Sequence, residues 1–302
     1  MKIEYLETFI LLSEVKSFSK LALDLGISQS TLSHRITELE KEFGQIRFIN
    51  RTTRKFELTE EGQIFLEYAK KIVNLYKECK TELSELSGIV GEDIIISAST
   101  LPGSHILPKY IARFRKNHPN ANFKIFINNS RKSLKLISEK QVDFAGIGSF
   151  MGYKKENFDI IKIGEDQLKF ICSPNHDLII NGKKIISFQD ILKYPFIIRE
   201  KGSGTRNIFE QQFSEYNKLN IELEMDDNDS IISAVSESNY ISVLSEFIAK
   251  KAENAGLIKQ LEIKEYPIIA KRDIYFIKPK NKKISKLKKD FWKSLIKIYN
   301  SY

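Results

Sequence analysis

The sequence predicts an α/β protein with a winged helix-turn-helix at its N-terminus, one long helix after it, and a larger region of alternating strands and helices. Three observations predict this. Residues 17–58 read as two short helices around Gly26 followed by a basic strand–turn–strand. Apolar residues from Phe65 to Leu86 recur at alternating spacings of four and three. From Glu92 onward, short β-branched and aromatic runs alternate with amphipathic helical patterns, which is the signature of layered α/β structure with largely parallel sheets.

The elements follow in order. Residues 3–14 form a first helix, with Leu6, Phe9, Ile10 and Leu12 as its apolar stripe. Ser17 is a good N-cap for a second helix carrying Leu21, Ala22 and Leu25. Gly26 can adopt the left-handed conformation that stops this helix and turns the chain sharply. Ser28 then caps a third helix, in which Leu32, Ile36, Leu39 and Phe43 face one core. Gln29, Ser30, Ser33, His34 and Thr37 lie on its opposite face, and Gly44 ends it. Residues 46–58 form a wing centred on Asn50–Arg54, and Thr59 caps the next helix, with Glu60 and Glu61 at its positive end. That helix runs to about Ser87. Its seam of Phe65, Ala69, Ile72, Tyr76, Cys79, Leu83 and Leu86 suits a two-stranded coiled coil. The alternative is a helix lying on its own domain, but a seam this narrow favours a second narrow helix.

Ser87–Gly88 and Gly91 mark a hinge. Beyond it, strands are expected at 93–98, 123–127, 143–148, 168–173, 196–199, 221–225, 241–244 and 272–277. Helices are expected at 104–117, 130–140, 204–217, 229–238, 245–254 and 283–300. The last helix gathers Ile284, Leu287, Phe291, Leu295 and Ile298 on one face, and its lysines read as a solvated face.

Composition excludes several classes. A hydrophobic fraction of 42% with 29% charged residues is ordinary for a soluble globular chain. No stretch approaches the roughly 20 consecutive apolar residues of a membrane span, so no membrane partner is expected. The opening MKIEYLETFI is amphipathic and carries acids, unlike a secretory leader, and the cytoplasm is the expected compartment. Cys79 and Cys172 form no CxxC, which argues against a disulfide framework or a zinc site. The net charge of +9 is no shortcut to nucleic acid. Residues 1–58 hold 9 basic against 8 acidic side chains, residues 59–270 hold 28 against 29, and residues 271–302 hold 11 against 2. DNA binding therefore rests on local placement of charge.

That placement is informative. In a helix-turn-helix the second helix enters the major groove while the first crosses the backbone. Gln29 can make a bidentate contact to adenine, and Ser30 and Ser33 are short enough for close approach. Thr31 suits a phosphate, Arg35 a base or a phosphate, and Ser28 and His34 are expected on the same DNA side. In the wing, Arg51, Thr52 and Arg54 suit phosphates or the minor groove.

These residues also carry a resemblance. Ser17-Phe18-Ser19 with Ala22 and Leu25, Ser28-Gln29, Leu32-Ser33, Ile36, Leu39-Glu40, Gly44, Phe48, Arg51, Leu58-Thr59 and Gly62 resemble the N-terminal pattern of the LysR-type transcriptional regulators. Leu21 stands where an alanine is usual, and Arg47 replaces the leucine that precedes Phe48. The resemblance spans essentially the whole chain. It implies a DNA-binding domain over 1–59, a linker and dimerisation helix over 60–88, and an effector-binding domain over 92–302. It further implies that this domain resembles a periplasmic binding protein, with lobe one at 92–162 plus 266–302, lobe two at 163–265, and the effector between them. Double-stranded DNA, a small-molecule effector and further copies of the chain are the implied partners, with a homodimer through the linker helix and a homotetramer as the assemblies.

Three strand-to-helix junctions carry groups for such an effector. Ser99 and Thr100 follow one strand, Asn129 and Ser130 the next, and Gly202-Ser203-Gly204-Thr205-Arg206 opens a helix of lobe two. Helix N-termini bind anions readily, although the same residues also serve as ordinary caps. The family position of Ser99, Thr100 and Thr205 favours the effector role, and backbone at Ile147–Gly148 together with Asn228 is expected to line the same cleft. The run REKGSGTR is similar to that in family members controlling sulfur assimilation and carbon fixation, which points to a small anionic metabolite. An enzyme is not expected, and neither is a cofactor or a metal. Gly146-x-Gly148-x-x-x-Gly152 has the wrong spacing for a dinucleotide, and His34, His105, His118 and His176 lie in no metal-ligand or triad arrangement.

Overall fold

The computed structural model describes residues 2–52, 55–87, 92–180, 186–280 and 282–299. The chain divides into two compact units, residues 1–89 and 90–302.

In the first unit, α1 (Ile3–Val15) buries Leu6, Phe9 and Leu12. The Ser17 hydroxyl accepts from the Lys20 amide to start α2 (Phe18–Leu25), and Gly26, at φ +65°, ends it. The Ser28 hydroxyl accepts from the Thr31 amide at 3.0 Å to start α3 (Gln29–Glu42). Leu32, Ile36 and Leu39 are fully buried on α3. Phe43, expected with them, is 42% exposed, because the helix has ended at Glu42. The wing is the antiparallel pair β1 (Ile49–Thr52) and β2 (Lys55–Leu58). Phe48 anchors it. Its ring stacks on Phe65 at 4.1 Å, and its amide donates to the buried Glu40 carboxylate at 3.0 Å. Arg47 is exposed at this junction, so the unusual charge there buries nothing.

The long helix α4 (Glu60–Ser87) begins against the wing, with the Thr59 hydroxyl accepting from the Gly62 amide at 2.9 Å. A Cβ on Gly62 would lie 2.0 Å from the Phe48 carbonyl oxygen, so only glycine lets the helix approach this closely. The expected single seam is corrected here. Phe65 and Ala69 are buried in the core of their own unit, and Val73, outside the expected seam, is buried with them. Ile72 packs against that core. Tyr76, Cys79 and Leu83 are exposed, as are Ile64, Tyr68 and Leu75 on the neighbouring stripe. The side chain of Leu86 lies outside the described residues.

The second unit opens with β3 (Glu92–Ala98), a single π-helical turn at Leu101–Ile106, α5 (Leu107–Asn117), β4 (Ala121–Ile127), α6 (Ser130–Ser138) and β5 (Phe144–Ile147). A 15-residue strand β6 (Phe158–Cys172) leads to α7 (Asp177–Ile180), α8 (Phe188–Ile191), β7 (Phe196–Arg199) and α9 (Gly204–Gln212). Then come β8 (Ile221–Met225), α10 (Asn228–Ser236), β9 (Ile241–Ser245), α11 (Glu246–Asn254), β10 (Lys259–Leu261), β11 (Lys271–Pro279) and α12 (Lys286–Tyr299).

Nine strands pair in the order β4-β3-β5-β11-β6-β9-β7-β8, with β10 also on β6. The expectation of largely parallel sheets holds only at the outer strands. β3 pairs parallel with β4 and β5, and β7 parallel with β8 and β9. The centre is antiparallel: β11 runs against β5, β6 runs against β9 and β10, and β6 and β11 run against each other. The first part of β6 lies alongside β11 and its last residues alongside β9 and β10, so these two strands join two halves. One half is centred on Ile94, Ile96, Phe144, Phe276 and Phe291, the other on Phe170, Phe196, Phe209 and Phe213.

The reading of the α12 lysines as a solvated face is corrected at Lys288, which is buried. Its ammonium lies 3.0 Å from Asp143 and 3.2 Å from Glu92, and Lys282 lies 3.5 Å from Asp143. Among the described residues, no helix is long and apolar enough to cross a membrane.

Candidate functional site

The outer face of the first unit is the start of α3. Ser28, Gln29, Ser30, Thr31 and His34 are exposed there, and Ser33 is half-buried. The Ser28 hydroxyl bonds those of Ser30 and Thr31, each at 2.7 Å, and Ser19 of α2 donates to the Gln29 side-chain oxygen at 3.3 Å. The face is thus small, polar and held to α2, as a groove-entering helix requires. Arg35 does not join it. Its guanidinium donates to Thr8 at 3.1 Å and pairs with Glu4, both on α1, so this candidate contact braces the helices instead. In the wing, Arg51 and Thr52 occupy β1, but their side chains and the whole of Arg54 lie outside the described residues.

In the second unit a cleft of about 350 Å³, including its open mouth, lies between the two halves. Of the expected effector residues, Ser99, Thr100, Asn129, Gly148, Ser203, Gly204, Thr205 and Asn228 line it. Ser130, Ile147 and Gly202 do not. Ser130 is buried behind the wall, where its hydroxyl accepts from the Gly148 amide at 3.4 Å, and the Ile147 side chain is in the core. The Gly202 carbonyl accepts from the Arg131 amide at 3.2 Å, joining the halves beside the cleft. The bonds from Asn129 to Glu200 at 3.2 Å and from Ser149 to Asn207 at 2.6 Å also join them.

The chemistry of the lining is one-sided. Among the described residues no carboxylate lines it, and Glu200 and Asp166 stand behind Arg199 and Arg272 as their partners. Ser203 is the N-cap of α9 without making a side-chain cap bond, so the amides of that first turn are not claimed by it. Gly204 is required there, because a Cβ would lie 2.7 Å from the Ser130 hydroxyl. Arg206, the last residue of the run REKGSGTR, turns away from the cleft. It donates to Glu210 at 2.7 Å and to Glu224 at 2.5 Å. Burial alone would lower its pKa, but these two hydrogen bonds outweigh burial and raise it.

Sequence reasoning missed Leu101, Asn128, Arg199, Ile248, Arg272 and Ile274. The arginines matter most. Arg199, at the end of β7, donates to Asn228 at 2.6 Å, to the Asp226 carbonyl at 2.9 Å and to Glu200 at 2.9 Å. Arg272 of β11 donates to Asp166 and to Thr205. Arg199 opens the run REKGSGTR but was not singled out within it, and Arg272, inside a strand, follows no glycine-rich turn and caps no helix. Burial, with a contribution from Glu253, pushes the Cys172 thiol up to about 12, so it is no nucleophile at neutral pH.

An exposed recognition helix in one unit and a donor-lined cleft in the other define a DNA-binding regulator with a ligand-responsive domain. Residues 3–63 match the family described as bacterial regulatory helix-turn-helix protein, lysR family, and residues 90–298 match the LysR substrate binding domain. The chain belongs to the LysR-type transcriptional regulators. An uncharacterized HTH-type transcriptional regulator of Methanocaldococcus jannaschii is 38% identical over 98% of this chain and 99% of its own length. The HTH-type transcriptional regulator CysL of Bacillus subtilis is 32% identical over 98% of this chain and 100% of its own. Among solved structures, full-length CbnR complexed with its target DNA is similar over 100% of this chain and 99% of that one, at a TM-score of 0.67 and 16% identity. The regulatory domain of CcmR from Synechocystis, in complex with 2-PG, is similar over 68% of this chain and 97% of that one, at a TM-score of 0.59 and 22% identity.

Proposed function

We propose that this regulator reads its operator with Ser28, Gln29, Ser30, Thr31, Ser33 and His34 in the major groove, with Arg51, Thr52 and Arg54 of the wing on the backbone or minor groove. In the cleft, Ser99, Thr100, Asn129, Gly148, Ser203, Gly204, Thr205 and Asn228 hold a small anionic effector. The observation that carries the ligand class is the lining itself, which combines hydroxyls, a helix N-terminus and two guanidiniums, with no carboxylate lining it among the described residues. A regulatory domain of similar fold in complex with 2-phosphoglycolate, an anion, supports the same class.

The functional divisions are residues 1–59 for DNA, 60–88 for pairing and 92–302 for the effector, with lobes at 92–162 plus 266–302 and at 163–265. The exposed apolar residues of α4 support a homodimer through that helix. Two such dimers form the tetramer that spans an interrupted dyad. A protein that works on chromosomal DNA resides in the cytoplasm. Effector binding closes the cleft and changes the spacing or bend of the bound sites.

Footprinting of the full chain on the DNA upstream of its own gene tests this reading. An interrupted dyad should be protected, and the pattern should shift when a small anion that raises the melting temperature is added. Full affinity in a Gln29→Ala, Ser33→Ala, Arg51→Ala triple variant would refute the DNA contacts. Melting and protection both indifferent to sulfate, phosphate and 2-phosphoglycolate would refute the anionic effector.

A further inference from the structure

Arg272 and Asp166 face each other where the two long strands pair, and both side chains are almost completely buried, at 5% and 3% exposure. The contact is asymmetric. Asp166 uses one carboxylate oxygen to accept from both Nε and Nη2 of Arg272, at 2.9 and 2.7 Å. Its other oxygen accepts from Ser245, at the end of β9, at 2.8 Å. This grip fixes the plane of the guanidinium and leaves its Nη1 edge directed elsewhere.

That edge points at the cleft. Nη1 donates to the Thr205 hydroxyl at 3.1 Å, in the first turn of α9. It would lie 3.1 Å from a Cβ on Gly148 and 3.6 Å from one on Gly204, so it sits between the two glycines that open the walls. Nη1 carries two hydrogens, and Thr205 takes one. Thr205 and Gly204 come from one half, Gly148 comes from the other, and Arg272 belongs to the joint between them.

We infer that Arg272 is the residue that reads the effector's negative charge, and that its fixed grip on Asp166 ties that charge to the paired strands joining the halves. This rests on the anionic-effector reading above and adds to it both a residue and a route. An oxyanion placed between Gly148 and Gly204 meets Nη1 together with the first-turn amides of α9, which Ser203 does not cap. A buried arginine without a counterion would be costly. Asp166 supplies one, so the cleft can stay charged and ordered while empty. The same carboxylate links Arg272 to Ser245, so displacement of the guanidinium toward a ligand is felt on β6 and β9 together. A lysine at 272 keeps the charge but cannot hold Asp166 through two bonds and reach Thr205 at once.

The test is sulfate, phosphate and 2-phosphoglycolate binding to the full-length protein by titration calorimetry, with ligand-free melting as the check on folding. Arg272→Gln alone strands a buried carboxylate, so the decisive variant is Arg272→Gln with Asp166→Asn, an uncharged pair that retains hydrogen-bonding groups. It should melt near the wild type when empty and bind the anion that the wild type prefers at least tenfold more weakly. Arg272→Lys should fall between the two. If the neutral pair binds that anion within threefold of the wild type while Thr205→Ala loses it, Arg272 is only a strut and the inference falls, while the effector site stands. If the wild type binds none of the three anions, both readings fall.

Discussion

At the scale of single residues, two polar side chains on α3 have opposite roles. Gln29, on the outward stripe, and Arg35, as a side chain long enough to reach a base or a phosphate, are both expected at the DNA. In the structure Gln29 is exposed, whereas Arg35 reaches back to Thr8 and Glu4 on α1. Sequence periodicity assigns a face, but it does not say which long side chain folds back across it. The same limit hid Arg272, whose partner Asp166 is over a hundred residues away in the chain and whose role depends on strand pairing. Ser28, Gly26 and Thr59, by contrast, were legible, because a cap or a left-handed turn is decided within four residues. The contrast on α3 is measurable. Gln29→Ala should weaken operator binding by roughly 5- to 150-fold, the equivalent of one lost bidentate base contact, and leave melting unchanged. Arg35→Ala should lower the melting temperature of the first unit by about 4–8 °C, as loss of about 1 kcal/mol does in a domain this small. Mobility-shift titration and calorimetry on both variants separate the roles. A Gln29 variant that melts early, or an Arg35 variant that keeps its melting temperature but loses DNA, would reverse the assignment.

At the scale of elements, α4 shows how a correct helix can carry a misread face. Its start, length and apolar spacing were all readable, because they depend on capping and on the 3.6-residue repeat. The seam was not, because two adjoining apolar stripes share the first turns. Phe65, Ala69 and Val73 complete the core formed by Phe9 and Phe48, and Ile64, Tyr68 and Leu75 are left outside it. Which stripe faces the unit's own core is decided by the aromatic cluster of the wing, a tertiary fact. The expected consequence is a division of labour along one helix. Leu75→Glu or Leu83→Glu should leave the first unit folded and weaken self-association at least tenfold, since a leucine buried on pairing contributes about 1.5–3 kcal/mol. Phe65→Glu should instead unfold that unit, because it places a charge in the aromatic cluster. Sedimentation equilibrium and circular dichroism distinguish these outcomes. Unchanged association in both leucine variants would remove α4 from the dimer interface.

At the scale of the whole effector unit, alternation of strands and helices was enough to read an α/β architecture, and its strand-to-helix junctions were enough to name most of the cleft. Of the two crossing strands, β11 and the last residues of β6 were readable, and the first part of β6 was not. The first part of β6 carries Lys162, Glu165 and Asp166, a charged run that breaks the apolar signal, yet it pairs with β11 along its length. Two histidines of this unit lend its stability a pH dependence. His176 is fully buried, with the Leu178 amide donating to its Nδ1 and its Nε2 facing the Asn239 carbonyl, both at 3.2 Å. Burial lowers its pKa, although Asn239 and Asp177 oppose the shift, and protonating Nδ1 would remove the acceptor that Leu178 uses. His105, half-buried beside Phe247 and Lys251, is also lowered, by burial first and then by the Lys251 ammonium, with Asp229 opposing. Both folded pKa values lie below the ordinary value of about 6.5, so below that pH the unfolded chain binds protons that the folded unit refuses. Stability is therefore complete above pH 6.5 and falls as the solution is acidified toward the folded values. The limiting slope is about 1.4 kcal/mol per pH unit for each histidine still neutral when folded. Urea unfolding between pH 5 and 8 should show this decline. His176→Gln, which can still donate and accept but cannot become charged, should flatten it while lowering stability at pH 8. A profile flat from pH 8 to pH 5, or one that His176→Gln leaves as steep as before, would mean that the buried imidazole accepts its proton as readily in the folded chain as in the unfolded one.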